Sequence, residues 1–468
     1  MRYISTRGDA PELNFEDALL CGLARDGGLY VPKKISVFAR SEIAALAGAR
    51  YPVVAATIAE RFVGDVFTRD ELRQLCHEAY ENRFGHPSMA PLVQLSDQLF
   101  LLELFRGPTL AFKDFAMLLV GRMFEAVLSR RKQRATIVGA TSGDTGSAAI
   151  EAFKGLDSVD VFILYPHNRV SDVQRRQMTT PPDSNIHALA IEGDFDACQA
   201  LVKAMFNDHN FRDKMRLAAV NSINWARVMA QIVYYFTSAV SLGAPSRHIT
   251  FSVPTGNFGD IYAGLMAKRM GLPIDRLIIA TNENDILHRA MSTGRYAVSD
   301  VTPTTSPSMD IQVSSNFERA LFEASGNDSD AIKLAMANLA QSGSFKINAA
   351  ALAALRQDFD SARVSLSEVS EQISQTYQNC GYILDPHSAI GVHAAGQIAP
   401  RSNAETPIVS FACAHPAKFP DAVGAAAGVS PAFPAHLADL FDRPERMTIL
   451  PNDLAAIQAH ISAKSHSA

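Results

Sequence analysis

From residue 135 onward the chain alternates short β-branched runs, small or polar loops and stretches of helical periodicity, and that order admits little besides a parallel sheet built from βα units. Ala135 to Gly139 reads as a strand ending at Ala140-Thr141-Ser142-Gly143-Asp144-Thr145-Gly146, followed by a helix through Ser147 to Phe153. Val159 to Tyr165 is a second buried strand, and Ile186 to Ile191 leads into a helix over Phe195 to Met205. Leu217 to Val220 passes through Asn221-Ser222-Ile223-Asn224 into a helix reaching about Leu242. After the turn cluster Ala244-Pro245-Ser246 the rhythm restarts. Ile249 to Val253 enters Pro254-Thr255-Gly256-Asn257-Phe258-Gly259-Asp260 and a helix to Met270, and Leu277 to Ala280 enters Thr281-Asn282-Glu283-Asn284-Asp285 and another helix. Ser329 to about Cys380 is mostly helical, with a late strand at Ile408 to Phe411. The first 95 residues lack this rhythm, and their apolar spacing around Phe15 to Leu23, Ser41 to Leu46 and Val53 to Phe62 is helical. The expected fold is α/β: parallel or mixed sheets with helices on both faces, in two α/β domains (96–244 and 245–468) enclosing a cleft, plus an N-terminal mostly helical domain (1–95).

Composition closes off several function classes. With 468 residues, 47% hydrophobic and 19% charged, the chain has the interior for two or three packed domains and is too apolar for disorder. Lys plus Arg number 43 against 48 Asp plus Glu, a formal charge of −5, so the basic footprint of a nucleic-acid protein is missing. The five cysteines (Cys21, Cys76, Cys198, Cys380, Cys413) are odd in number and scattered without a C-x-x-C pair, which speaks against a disulfide framework and a structural metal and for a reducing cytosol. The N-terminus lacks the apolar core of a signal peptide, and no stretch approaches a membrane span, so a cytoplasmic protein with no membrane partner is expected. Neither G-x-x-x-x-G-K-[ST] nor a strand-following G-x-G-x-x-G occurs, which removes support for nucleoside triphosphates and dinucleotides.

Three elements carry candidate chemistry. In Gly256-Asn257-Phe258-Gly259-Asp260 the two glycines allow close backbone approach and the next helix points its N-terminus at the loop, a seat for phosphate; the same residues also suit a tight strand-to-helix turn. Thr141-Ser142-Gly143-Asp144-Thr145-Gly146 packs hydroxyls around two glycines, enough to cradle a carboxylate or phosphate, and equally serves as a helix cap. Lys113 stands inside Leu110-Ala111-Phe112-Lys113-Asp114-Phe115-Ala116, apolar enough to bury it. A desolvated lysine becomes the nucleophilic amine that a Schiff base with an aldehyde cofactor requires, whereas a surface lysine beside Asp114 is the plainer reading.

Taken together, these elements resemble the threonine synthases, of the pyridoxal-phosphate family with the tryptophan-synthase-β type of fold. The resemblance runs over essentially the whole chain. It is carried by Asp26-Gly27-Gly28-Leu29-Tyr30-Val31-Pro32, Gly107-Pro108-Thr109-Leu110-Ala111-Phe112-Lys113-Asp114-Phe115, Thr141 to Ala148, Asn221-Ser222-Ile223-Asn224-Trp225-Ala226-Arg227, Pro254 to Asp260, Ser306-Pro307-Ser308-Met309-Asp310-Ile311, Asp385-Pro386-His387-Ser388-Ala389 and Ala414-His415-Pro416-Ala417-Lys418-Phe419. It implies pyridoxal 5'-phosphate in the cleft, Lys113 as the Schiff-base lysine beside Phe112, and Gly256, Asn257, Phe258, Gly259 and Asp260 as the cofactor-phosphate loop. Thr141, Ser142, Gly143 and Thr145 are implied to grip the substrate carboxylate, with Asp144 near the cofactor's ring hydroxyl. Most of the wider family has Asn at that position, and usually Thr or Ser where Cys413 stands, opposite the pyridine nitrogen. A thiol keeps the property that matters there, since no carboxylate is present to hold that nitrogen protonated.

The implied reaction converts O-phospho-L-homoserine and water into L-threonine and phosphate, the last step of threonine biosynthesis. A phosphate dianion needs local cations in a chain of charge −5, and Lys418, Arg227, Arg289 and Arg106 are the candidates, with Arg227 and Lys418 assigned to substrate; His415 and His387 are candidates for proton transfer. Two alternatives share these residues: a related lyase that eliminates phosphate and lets the product hydrolyse to 2-oxobutyrate, and a non-catalytic phosphometabolite-binding protein. The sequence leaves the oligomeric state open.

Overall fold

The computed structural model describes residues 1–399 and 405–466. Two sheets dominate. The first has five parallel strands in the order Thr448–Pro451, Ile186–Glu192, Val159–Pro166, Ala135–Ala140, Leu217–Ala218. The second has six, in the order Phe359–Arg363, Ile274–Thr281, Ile249–Pro254, Ile408–Ala412, Leu99–Glu103, Leu92–Gln94, all parallel except the last pair. The expected α/β architecture of parallel and mixed sheets is therefore present. Val159–Pro166 and Ile249–Pro254 are buried along their whole length, because helices cover both faces of a parallel sheet and leave no polar side to alternate with.

Strand pairing crosses both divisions expected from sequence. Leu99–Glu103 lies in the 96–244 segment but pairs with Ile408–Ala412, while Thr448–Pro451 from the far end of the chain extends the five-stranded sheet. The N-terminal segment is mostly helical but also forms a small antiparallel sheet from Tyr3–Ser5 and Tyr30–Pro32. Its helices share the main core: Trp225 lies with its ring 5.5 Å from Phe62 and 5.9 Å from Tyr3, and the Tyr80 hydroxyl donates to the Phe115 carbonyl at 2.8 Å. The N-terminal helices thus brace the helices Lys113–Arg131 and Trp225–Ser241, which lead away from the site.

One buried cation ties that brace to the loops above it. Arg319 is fully buried; its Nη2 donates to the carbonyls of Tyr30 at 2.9 Å and Ile223 at 2.6 Å, its Nε donates to Tyr30 at 3.1 Å, and Nη1 reaches the Asn316 side chain. Replacing it strands two buried carbonyls. Arg319→Met is expected to cost about 2–4 kcal/mol, read as a lowered denaturant midpoint, and a midpoint equal to the wild type would contradict this role.

Candidate active site

The carboxyl ends of Ala135–Ala140, Ile249–Pro254 and Ile408–Ala412 converge on one cleft, as expected for open parallel sheets. Lys113 reaches it from a turn held by its own neighbour. Asp114 is buried and accepts from the Thr109 N–H at 2.8 Å and the Thr109 hydroxyl at 2.6 Å, closing Thr109 to Asp114 into a loop that starts the helix at Lys113. Gly107 makes room for it, since a Cβ there would lie 2.5 Å from the Asp114 carboxylate. The turn is pinned to the end of Ile408–Ala412 by the Phe112 N–H donating to the Cys413 carbonyl at 2.8 Å and the His415 N–H donating to Leu110 at 3.0 Å.

Lys113 is 8% exposed, with Nζ 3.4 Å from Asp144 Oδ2 and 4.7 Å from the centre of the Phe112 ring. Burial lowers its pKa; Asp144 works against that shift, and the charges of Lys418 and Arg227 work with it. Asp144 also pairs with Lys418 at 2.7 Å, accepts from Gln174 Nε2 at 2.9 Å and lies 3.5 Å from the Ser308 hydroxyl. Burial alone would raise the Asp144 carboxyl, but Lys418 and Lys113 override it and hold the group well below the usual carboxylate range. Gly143 permits this packing: its φ is 137°, and a Cβ would fall 2.2 Å from the Gln174 amide carbon.

The loop Thr141 to Thr145 divides its hydroxyls. Thr141 Oγ1 accepts from the Gly143 and Gly146 N–H groups, both at 2.9 Å, which holds the loop and leaves its own proton to donate. Ser142 and Thr145 are the loop's other hydroxyls. In the loop Gly256 to Asp260 the carbonyls are tied off: Gly256 O accepts from Ser314 Oγ at 2.6 Å, and Asn257 O from the Asn316 N–H and Nδ2, both at 3.0 Å. Phe258 adopts φ 64° as the residue before the helix Gly259–Arg269, and no side chain caps that helix. Its first-turn N–H groups have no intrahelical partner, which makes the turn a seat for an anion. The Asp260 side chain turns away into the core, where Tyr234 OH donates to Oδ1 at 2.5 Å, and burial pushes its pKa up to about 7.

Among the described residues, three residues of this region carry a buried polar side-chain atom without a partner: Gln177 Oε1, Arg227 Nε and His387 Nε2. Arg227 has no carboxylate beside it; burial lowers its pKa to about 10, and its charge is felt at Lys113. Unpaired buried groups in such number mark a cleft shaped for something polar. An amine of lowered basicity, an uncapped helix start and a guanidinium without a carboxylate partner fit an aldehyde cofactor that carries a phosphate. Cys413 is buried, its thiol pushed well up by burial, and its N–H donates to Ser388 Oγ at 3.0 Å. Two expected cations do not converge: Arg106 pairs with Glu103 at 2.6 Å, and Arg289 is used by Asp285 at 2.8 Å and the Ala297 carbonyl at 2.9 Å. Burial lowers the pKa of His415 to about 4, and its Nδ1 accepts the Ala417 N–H.

Residues 2–80 match the family model described as threonine synthase N terminus, 85–360 that of pyridoxal-phosphate dependent enzymes, and 388–461 that of the threonine synthase C-terminal region. The threonine synthase of Pseudomonas aeruginosa is 54% identical over 463 residues, covering 99% of this chain and 98% of its own. The chain belongs to the threonine synthase family. The threonine synthase of Saccharomyces cerevisiae is 43% identical over 457 residues, covering 90% and 88%. The crystal structure of threonine synthase from Brucella melitensis with pyridoxal phosphate bound superposes over 100% of both chains with a TM-score of 0.96 at 55% identity. The Escherichia coli threonine synthase structure gives a TM-score of 0.84 at 32% identity, covering 99% of this chain and 100% of its own.

Gln174 and Gln177 have no place in the sequence reading. They lie on the helix Asp172–Thr179 after an ordinary strand, Gln177 Nε2 donating to the Thr109 carbonyl at 3.0 Å, and no local pattern separates them from surface glutamines. The ion cluster they buttress can be tested without ligand. Asp144→Asn keeps the side-chain shape but leaves Lys418 buried beside a neutral partner, and is expected to destabilise the fold by about 3–5 kcal/mol at neutral pH. Because the folded-state pKa of Asp144 lies below the unfolded one, about 3.9, the charge stabilises above that value and the gain is lost as pH falls. The difference in unfolding midpoint between wild type and Asp144→Asn should therefore be largest above about pH 5 and shrink below it; a difference that grows on acidification would contradict the assignment.

Proposed function

We propose that the chain acts as a threonine synthase on O-phospho-L-homoserine, in the cytoplasm, with Lys113 as its central base. The observation that carries the reading is the buried Lys113 amine beside an ionised Asp144, near a buried Arg227 that has no carboxylate partner, within a chain of this family. When bound at Lys113, pyridoxal phosphate supplies the electron sink for negative charge at the substrate's α-carbon. Gly256, Asn257, Phe258, Gly259 and Asp260 would hold its phosphate through backbone N–H groups, and Phe112 and Cys413 would line the cofactor's seat. Ser142, Gly143 and Thr145 present hydroxyl and backbone donors to the substrate carboxylate, and Thr141 keeps that loop in shape. Arg227 and Lys418 bring positive charge to the substrate phosphate.

Lys113 Nζ takes the α-proton and returns it at the end. Burial lowers its pKa and so favours the neutral amine, and Asp144 stabilises the ammonium once the proton has been transferred. The burial of Lys113, Asp144, Lys418 and Arg227 keeps bulk water from the reacting atoms, so the elimination of phosphate is followed by one controlled addition of water. All five cysteines are free, which supports a reducing compartment.

Lys113→Ala is expected to abolish multiple turnover while leaving the far-ultraviolet circular dichroism unchanged; phosphate and organic product followed together by mass spectrometry check this. Phosphate and threonine in step from the wild-type protein support the synthase, 2-oxobutyrate points to the lyase, and retained turnover in Lys113→Ala removes the lysine from its role. Arg227→Gln is expected to lower kcat/KM by about 10- to 100-fold, chiefly through KM, as befits loss of a charged contact to phosphate. An unchanged KM would take Arg227 out of substrate binding.

A further inference from the structure

The loop Gly256 to Asp260 is matched by the segment Ser314 to Phe317, almost residue for residue. Ser314 Oγ donates to the Gly256 carbonyl at 2.6 Å, Ser315 Oγ donates to Asn257 Oδ1 at 3.1 Å, and the N–H and Nδ2 of Asn316 both donate to the Asn257 carbonyl at 3.0 Å. The Phe317 ring packs edge-on against that of Phe258, with centres 5.3 Å apart, and so helps to hold a residue whose φ of 64° is unfavourable for a side chain of this size. Gly259 lets the two segments close up, since a Cβ there would lie 3.3 Å from Asn316 Nδ2.

Asn316 is fully buried, and its amide can point only one way. Nδ2 also donates to the Ser222 carbonyl at 3.2 Å, while Oδ1 accepts from Arg319 Nη1; turning the amide over would set an oxygen against two carbonyls and an NH2 group against a guanidinium. An asparagine just before a helix ordinarily caps it, yet the side chain of Asn316 makes no cap bond to the helix Phe317–Ala324. Its donors are spent on two other loops instead. Ser222 lies in the turn Asn221 to Asn224, whose Ile223 carbonyl is held by Arg319 and which starts the helix carrying Arg227. One amide therefore spans the loop assigned to the cofactor phosphate and the turn that leads to Arg227.

We infer that Asn316, with Ser314 beside it, is the positioning residue of the phosphate seat; this rests on the reading of Gly256 to Asp260 as that seat. A loop receives an anion through its N–H groups only while its own carbonyl oxygens are kept from the anion's oxygens. Ser314 and Asn316 bind the two carbonyls at the start of the loop, which leaves the amides that follow as its offered groups. The bond from Asn316 to Ser222 sets that loop in register with the turn before Arg227. Asn316 acts through Asn257 and Ser222, so its loss should be felt by the phosphate of the cofactor and not by the rest of it.

Comparing the cofactor with and without its phosphate tests this. Asn316→Ala brings no new charge to the loop, removes the donor to Asn257 and Ser222, and leaves Arg319 its bonds to Tyr30 and Ile223. In the full chain freed of cofactor, binding is followed by the visible absorption gained on titration. Asn316→Ala should weaken pyridoxal phosphate by at least about tenfold and pyridoxal, which lacks the phosphate, by less than about twofold. An equal loss for both would make Asn316 a packing residue only and overturns the inference, as does wild-type affinity for pyridoxal phosphate. If Asn316→Ala does not fold, Ser314→Ala removes the donor to Gly256 while the Ser314 N–H keeps its bond to the Tyr296 hydroxyl. It should weaken pyridoxal phosphate by about three- to tenfold with pyridoxal unchanged, and the absence of a selective loss overturns the inference. In the wild-type chain labelled with nitrogen-15 glycine, pyridoxal phosphate should move the amide signals of Gly256 and Gly259. Signals that stay in place are a different result, which removes the reading of this loop as the phosphate seat and the inference with it.

Discussion

The ion cluster at Asp144 is the constraint on which the rest of the site depends. Its carboxylate comes off the five-stranded sheet, at the start of the helix Asp144–Phe153, while Lys418 follows the last strand of the chain to join the six-stranded sheet. Their 2.7 Å contact, between side chains that are 3% and 0% exposed, joins the two sheets through a pair that solvent ions cannot screen. Neither partner can be neutralised alone without stranding the other in the interior. Lys418 is fixed further by donating to the Thr109 carbonyl at 2.9 Å, which belongs to the turn that carries Lys113. The geometry of the reactive amine is thus set by the same charges that connect the sheets.

Near that cluster burial works against the negative charge of Asp114, Asp260 and Cys413. Asp114 and Asp260 are buried without a cationic partner, and burial pushes each up to about 7; the Cys413 thiol is pushed well above its ordinary value by the same effect. Asp144 is the acid held firmly ionised, against Lys113, Lys418 and Arg227. This imbalance toward positive charge explains how a chain of net charge −5 can receive a doubly charged phosphate: the attraction is local, in a poorly solvated cleft where it acts at full strength.

Much of this could be read from the sequence, and the exceptions have physical causes. The βα rhythm located the strands from Ala135 to Pro166 and from Ile249 to Thr281 because strands buried on both faces are unbroken apolar runs between glycine-bearing loops. Lys113 stood out because a cation inside an apolar run is rare. Leu99–Glu103 escaped notice because a five-residue apolar run suits a helix or a strand equally, and only its parallel pairing with Ile408–Ala412 decides. Thr448–Pro451 pairs with Ile186–Glu192, far earlier in the chain, a long-range pairing that no local pattern announces. Arg106 and Arg227 look alike as letters; Glu103 three residues before Arg106 takes up one charge, whereas the buried Arg227 has no carboxylate partner and leaves its Nε unpaired. Gln174 and Gln177 matter through the carboxylate and carbonyl they touch, and those partners exist only once the sheet is assembled.

The seams of the site are unequal in strength, and that bears on how a substrate reaches so buried a centre. Asp144 is gripped by Lys418 at 2.7 Å and Gln174 at 2.9 Å, but its contact with Ser308 is 3.5 Å. Ser308 sits in a segment anchored elsewhere: Asp310 accepts from Asn282 at 2.8 Å, Asn284 at 3.0 Å and the Thr304 hydroxyl at 2.6 Å, all on the side of the six-stranded sheet. Parting Ser308 from Asp144 gives up one long hydrogen bond, whereas parting Lys418 from Asp144 separates buried charges. The mechanical asymmetry follows from the electrostatics: the charged joint holds the sheets together, and the neutral joint beside it is the one that opening disturbs least.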